Sequence, residues 1–231
     1  MGAALHPEKR VRVLPSARAV LMLGPPGAGK GTQSRAVSCE FGIPEISTGE
    51  MLRGAVRERT QLGQQVKTLM EAGALVPDAV VCQLVQERTA WLDCKPGFIL
   101  DGFPRNLEQA GFLDRLLEAQ GRGGARVINI RADPGALIRR LVGREVCPVC
   151  GSIYNVYSRP PQKPGICDLE GARLVRRKDD REDAIRMRLA EYESQTKPLI
   201  DHYRGLSLLR EVDGNRKPTV VTEAIFRLLD E

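Results

Sequence analysis

The sequence predicts an α/β fold in which a parallel sheet is covered by helices on both faces. Two observations carry that expectation. The short apolar runs "AVLMLG" (19–24), "GFILDG" (97–102) and "RVINI" (126–130) are continuous rather than alternating, as in strands buried on both sides. Between them lie stretches of helical period, such as Leu107, Phe112, Leu116 and Leu117. The weaker runs "SLLREV" (207–212) and "GIPEIS" (42–47) bring the expected sheet to five strands.

Along the chain, residues 1–17 are polar, basic and broken by proline, and predict a flexible N-terminal extension. They lack the continuous apolar core of a secretory signal. The first strand, a glycine-rich turn and a helix through about Cys39 follow, giving a first core segment over 18–46. Residues 47–76 read as a purely helical excursion with glycine breaks. The core resumes over 77–142. Residues 143–180 carry prolines, tyrosines and clustered cysteines, with turn signals at "RPPQKPG" and "LEGA", and predict a small β-rich insert. At "KDDRED", Asp179 or Asp180 is expected to cap a helix with Glu182 or Asp183 in its first turn. That helix opens the last core segment, 181–231, and runs to about Tyr203 with Ile185, Leu189 and Tyr192 on one face.

Composition narrows the function. At 231 residues, with 42% hydrophobic and 28% charged residues, the chain reads as an ordinary globular protein with one substantial core. No apolar run approaches the roughly 18 residues that a membrane span needs, so no membrane partner is expected. The formal charge is +6, and the first eighteen residues contribute +3 of it through Lys9, Arg10, Arg12 and Arg18 against Glu8. The remaining arginines are scattered, which suits a small polyanionic ligand better than a duplex. Of the six cysteines, Cys39, Cys82 and Cys94 stand alone and are expected as buried free thiols in a reducing cytoplasm.

Gly24-Pro25-Pro26-Gly27-Ala28-Gly29-Lys30 satisfies the G-x-x-x-x-G-K pattern between an expected strand and an expected helix. Glycines there let backbone N–H groups turn inward around a phosphate, the helix start adds its positive end, and Lys30 reaches the outer phosphates. The next residue is Gly31 rather than Ser or Thr, and the hydroxyl is displaced to Thr32. A magnesium ion here would therefore rest more on nucleotide oxygens and water, with Asp101 the natural carboxylate to reach those waters. Transfer between two phosphates needs no general base, because the acceptor oxygen is already ionised. It needs alignment and charge neutralisation. The two histidines, His6 and His202, lie near no motif.

"GPPGAGKGTQ", "ISTGEMLR", "GFILDGFPRN" and "LVGR…RKDD…RMRL", in that order, resemble the nucleoside monophosphate kinases, and specifically adenylate kinases of the long-lid type. The resemblance covers about residues 18–231. It implies a P-loop three-layer core, an acceptor-binding insert (47–76) and a lid (143–180), acting on ATP and AMP to give two ADP. On the acceptor side it assigns Thr48, Arg53, Ala74, Leu75, Val76, Gly102, Phe103, Pro104, Arg105 and Gln109. On the donor side it assigns Gly27 to Thr32 of the cradle, Arg140 and Arg144 along the triphosphate, Ile153 and Tyr154 over the base, and Arg216 beside adenine. Arg177 and Arg188 would converge on both phosphates, and a monomer is the default. Thr48 and Gln109 favour adenine over pyrimidine.

The cysteines of "CPVCGSIYNVYSRPPQKPGICDLEG" stand at C-x2-C-x16-C, and Glu170 completes the last x2 step. Cys147, Cys150 and Cys167 with one carboxylate suit a tetrahedral structural zinc that staples a lid too small to bury its own core. The resembling family more often places Cys or Asp fourth, and Asp168 is the alternative oxygen donor. The rival readings are a UMP/CMP kinase and a zinc-knuckle nucleic-acid-binding protein. The second leaves the phosphate cradle unexplained and lacks stacking residues, with aromatics at 4%.

Overall fold

The computed structural model describes residues 12–14 and 19–230. The chain begins β1 (Ala19–Leu23), α1 (Lys30–Phe41) and β2 (Glu45–Ser47), then α2 (Thr48–Arg57), α3 (Gln61–Ala72) and α4 (Asp78–Thr89). It continues with β3 (Phe98–Asp101), α5 (Leu107–Ala119), β4 (Arg126–Arg131) and α6 (Pro134–Val142). The strands β5 (Arg144–Val146) and β6 (Ile153–Asn155) precede α7 (Glu182–Glu191), α8 (Pro198–Gly205), β7 (Leu209–Asp213) and α9 (Pro218–Asp230).

Five strands pair in the order β2-β3-β1-β4-β7, all parallel. Because side chains alternate across a strand, the apolar runs feed two separate cores. Leu21 and Leu23 of β1 join Leu100 and Val127 against Val85 of α4, Leu113 of α5 and Tyr203 of α8. Val20 and Met22 join Ile99, Ile128 and Ile130 against Val37 of α1, Leu137 of α6 and Ile225 of α9. The five-stranded parallel sheet with covered faces is therefore the one the apolar runs predict.

Excursions leave the sheet at two places. The first is the helical pair α2 and α3, each capped by the residue before it: the Ser47 hydroxyl accepts from Glu50 N, and the Thr60 hydroxyl from Gly63 N. The second holds the antiparallel pair β5–β6 and a small cluster of Cys147, Tyr154, Cys167 and Leu174.

The C-terminal helical segment departs from expectation. Neither Asp179 nor Asp180 caps α7, whose N-cap is Arg181 with no side-chain bond. Both carboxylates bind arginines instead, where charge pairing in a partly dry cleft outweighs a cap. The helix also does not run unbroken to Tyr203. Pro198 has no N–H to donate, so Tyr192–Thr196 forms a π turn closed by Lys197 N to Tyr192 O at 2.8 Å, and α8 starts afresh.

All six thiols are free. Cys94 is buried and Cys82 half-buried, but Cys39 is exposed, because α1 turns Val37 and Phe41 inward and Cys39 outward. Of the expected extension, Arg12 lies against the core. It pairs with Glu40 at 3.3 Å and Asp230 at 3.1 Å and covers the Phe226 ring. Residues 1–11 and 15–17 of the extension are outside the described residues. Among the described residues, no helix is long and apolar enough to cross a membrane.

Gly63 sets how closely α2 and α3 approach: a Cβ there would stand 2.0 Å from Ala55 O. Gly63→Ala is expected to force the two helices apart, lowering stability by about 1–3 kcal/mol in denaturant unfolding.

Candidate active site

The phosphate cradle follows from backbone geometry. Gly24, Gly27 and Gly29 have φ of 135°, 85° and 105°, conformations that side chains rarely adopt. A Cβ on Gly24 would also lie 2.5 Å from Ile130 O. Gly29 is the N-cap of α1 and supplies no side-chain cap, so the first N–H groups of that helix stay available to an anion. Lys30 bends over the loop, its Nζ donating to Gly24 O at 2.7 Å and Pro25 O at 3.1 Å. Gly27, Ala28, Gly29, Lys30, Gly31 and Thr32 all line one cleft of about 510 Å³ at the carboxyl end of β1. That is where open parallel sheets place ligands.

Among the described residues, four acidic side chains line this cleft, Glu45, Glu50, Asp101 and Glu191, and two of them lie on strands of the sheet. Asp101, at the end of β3, stands against the cradle: a Cβ added to Gly31 would lie 3.4 Å from its Oδ2. The missing hydroxyl at position 31 thus leaves room that a carboxylate borders, and hard oxygen donors at a phosphate cradle fit magnesium. Glu45 of β2 is the second, and no sequence signal marked it. Burial is the main reason its pKa rises to about 7; Asp101 and Glu50 add to the rise and Arg35 opposes it.

A smaller pocket lies beside the cleft and brings together Thr48, Arg53, Ala74, Leu75, Val76, Arg105 and Gln109, residues the resemblance groups on one side. Thr48 Oγ1 donates to Gly102 O at 3.0 Å. Gly102 has φ 79°, and Pro104 follows a cis peptide bond. Arg105 folds back so that its Nε donates to Gly102 O at 2.9 Å. Gln109 is already engaged at both ends, accepting from Arg105 N at 2.8 Å and donating to Asp78 Oδ1 at 2.7 Å. Asp78 also takes Asn106 Nδ2 at 2.7 Å, so one carboxylate orients both amides. Phe103, expected on the acceptor side, lines neither the cleft nor the smaller pocket. Its ring is fully buried and meets Phe112 edge-on at 6.5 Å, because an apolar ring at a strand end gains more from the core than from a charged cleft.

Arg53, Arg105, Arg140, Arg144, Arg177 and Arg188 all reach the cleft. Three acidic side chains meet them. Glu50 accepts from Arg53 Nη2 at 2.8 Å and also from Arg177. Asp180 binds Arg144 through both oxygens and takes Arg188 at 3.1 Å. Asp179 pairs with Arg188 at 3.1 Å and Arg53 at 3.8 Å. Arg140 instead donates to Gly214 O at 2.9 Å, and Arg216 pairs with Asp213 at 3.5 Å on the cleft rim.

Burial dominates the electrostatics. It lowers Lys30 to about 8, against the pull of Asp101 and with help from Arg105. It also lowers Arg105 to about 10, with Arg188 adding, and Arg177 to about 9, with Arg53 and Arg144 adding. Burial pushes Glu50 and Asp179 upward, but their arginine partners reverse the direction and hold both below the usual carboxylate range. Glu50 lies three residues before Arg53 in sequence, a helical ion-pair spacing that could have revealed it. Asp78 and Asp179 carry no such local signal, since each resembles an ordinary acidic residue near a helix start.

The second excursion folds over the cradle, with Ile153 Cδ1 3.6 Å from where a Gly31 Cβ would be. Tyr154 borders the cleft, but its hydroxyl points the other way, accepting from Asp168 N at 2.9 Å and lying 3.5 Å from Cys167 Sγ. The thiols of Cys147, Cys150 and Cys167 lie within 4.8 Å of one another. Cys150 and Cys167 are 3.7 Å apart, close to the ~3.8 Å edge of a tetrahedron built on zinc–sulfur bonds of ~2.3 Å. Burial raises the Cys167 thiol, but Tyr154 and the amides of Glu170 and Leu169 outweigh it and bring the pKa to about 7. The donor set fits zinc. Glu170, expected as fourth ligand, is exposed and outside this group, and Asp168 is committed to Gln162 N at 2.8 Å.

The raised pKa of Glu45 has a stability consequence. The unfolded chain loses that proton near 4.5 and the folded protein near 7, so the contribution of Glu45 falls as pH rises between them. Glu45→Gln should match the wild type in denaturant unfolding at about pH 4, below the unfolded value, and exceed it by about 1–3 kcal/mol at pH 8. Equal stabilities at both pH values would contradict the assignment.

Known proteins match the chain along the segments that build the cleft. Residues 22–207 fit the family model described as adenylate kinase. The adenylate kinase of Caldanaerobacter subterraneus subsp. tengcongensis is 47% identical over 210 residues, covering 91% of this chain and 95% of that protein. That of Citrifermentans bemidjiense is 49% identical over 195 residues, covering 84% and 91%. That of Geobacter sulfurreducens is 46% identical over 211 residues, covering 91% and 97%. Likeness of this length, spanning the cradle and both excursions from the sheet, has one meaning: the chain belongs to the adenylate kinase family.

Proposed function

We propose that this enzyme of the adenylate kinase family, which moves a phosphoryl group reversibly between ATP and AMP, works by holding the two nucleotides end to end in the single cleft. The convergence of Lys30 and six arginines on that cleft carries the reading. ATP would lie with its phosphates in the loop Gly27 to Thr32, under Lys30, Arg140 and Arg144, and with its base beside Arg216 and Ile153. AMP would enter the pocket of Thr48, Arg53, Ala74 to Val76 and Gln109. Its phosphate would be met by Arg105 and Arg188, with Arg177 closing from the lid.

The chemistry asked of these residues is alignment and charge neutralisation. An AMP oxygen is ionised at neutral pH and attacks without a base, and fixed guanidinium groups stabilise the charge that spreads over the transferring group. Magnesium on the triphosphate would neutralise part of the donor charge, and Asp101 would hold it through its waters. Closure of the residue 143–180 lid over the cradle keeps water from taking the phosphoryl group. Zinc would be held by Cys147, Cys150 and Cys167 and would stiffen that lid, whose own core has only four buried side chains. We further infer a cytoplasmic monomer with neither nucleic acid nor membrane as partner, since the required groups lie on one chain.

Arg105→Ala is expected to lower kcat by about 10²- to 10³-fold while the unfolding midpoint stays near that of the wild type. A coupled assay of ADP formation measures this. Run with AMP, CMP and UMP as acceptors, the assay should favour AMP; preference for a pyrimidine monophosphate would support the rival kinase. Near-normal turnover by the variant would remove Arg105 from the mechanism.

A further inference from the structure

The lid contains two turns built alike. In the first, Cys147 N donates to Ser152 O at 2.9 Å and Gly151 N to Cys147 O at 3.0 Å. In the second, Cys167 N donates to Ala172 O at 2.8 Å and Gly171 N to Cys167 O at 2.9 Å. Gly151 and Gly171 close them with φ of 68° and 63°. The third residue after the leading cysteine is Cys150 in one turn and Glu170 in the other. Equivalent backbones thus offer a thiol at one place and a longer carboxylate at the other.

That difference decides the ligand set. A cysteine sulfur is one bond beyond Cβ, whereas a glutamate oxygen is three, so from the same turn the carboxylate overshoots the point that a thiolate would meet. The arrangement of side chains agrees. The three thiols form the ligand cluster, while Glu170 is exposed and belongs to no group of ligand atoms. Asp168 turns Oδ1 to Gln162 N and likewise stands outside the thiol cluster. The remaining polar neighbours are the hydroxyls of Ser152, 3.1 Å from Cys150 Sγ, and Tyr154, 3.5 Å from Cys167 Sγ. Neither is an ordinary zinc ligand, and both are placed to donate to a thiolate. Asp168, Leu169 and Glu170 are all exposed, so solvent reaches this side of the cluster.

We propose that the lid metal site is a three-thiolate site whose fourth position is open to exchange, holding water at rest and accepting a small ligand with a nitrogen or sulfur donor. This rests on the reading of the cluster as a zinc site. It goes beyond that reading by making the site coordinatively unsaturated rather than closed. Three thiolates on a divalent ion leave one net negative charge, and Arg159, whose guanidinium lies over the Tyr154 ring at 5.9 Å, stands on the same small domain to offset it.

The test is cobalt substitution in the full chain, with imidazole as probe. Wild type and Glu170→Ala should share the same visible bands, with thiolate charge-transfer intensity for three sulfurs, and imidazole should shift both spectra. Glu170→Cys should raise that intensity in the ratio of four thiolates to three and abolish the response to imidazole. A spectrum that changes in Glu170→Ala, or a wild-type spectrum indifferent to imidazole, would overturn the open position while leaving the metal site standing. Wild-type protein that binds neither cobalt nor zinc, behaving like a Cys150→Ser control, would instead overturn the zinc reading itself.

Discussion

The arrangement of the cleft depends on balancing a concentration of positive charge against a few carboxylates. Lys30, Arg105, Arg177 and Arg188 are all shifted toward their neutral forms by burial, and arginines add to the shift for each. Such a cluster would spread the lid and the helical insert apart if left alone. Glu50, Asp179 and Asp180 offset that charge. Their positions matter more than their number. Glu50 lies on the insert and Arg177 in the lid, and the Lys178–Glu71 pair at 2.9 Å joins the same two parts. The carboxylates therefore hold the two parts together, and on the proposed function phosphates, which carry more charge and more acceptor oxygens, would take over these arginines.

This constraint explains why some of the molecule was legible in the sequence and some was not. β1, β3 and β4 follow from continuous apolar runs, because a strand buried on both faces takes apolar residues at most positions; Asn129 of β4 is buried only with Glu211 Oε1 accepting from it at 2.9 Å. The cradle follows from Gly24, Gly27 and Gly29, whose positive φ values permit little else. By contrast, Asp179 and Asp180 read locally as a helix cap, the cheapest use of an acidic residue beside a helix start. Only the fold brings Arg144 and Arg188 to them. Glu45 and Asp78 were silent for the same reason: each acts on residues far away in the chain, Glu45 beside Asp101 and Asp78 on Gln109. Phe103 shows the opposite case. It sits inside "GFPR", a run read from the sequence as ligand-binding, yet its own ring belongs to the core.

The lid repeats the lesson on a smaller scale. The C-x2-C-x16-C spacing marked three thiols that the fold does bring together. It could not show that the second turn copies the first bond for bond, nor that Glu170 would be turned outward from an equivalent place. Ligand spacing reports where the backbone passes a metal. Side-chain length decides what arrives there. A lid with few buried side chains of its own leans on that cluster, and on Ile153 meeting the cradle, for a defined closed shape.

The exchange of carboxylates for phosphates is tested most directly by the structure of the protein bound to a bisubstrate dinucleotide, two adenosines joined through a chain of phosphates. Arg53 and Arg177 should leave Glu50, and Arg144 should leave Asp180, each turning to a phosphate oxygen. A complex in which the dinucleotide fills the cleft while all three arginines keep their carboxylate partners would contradict the account.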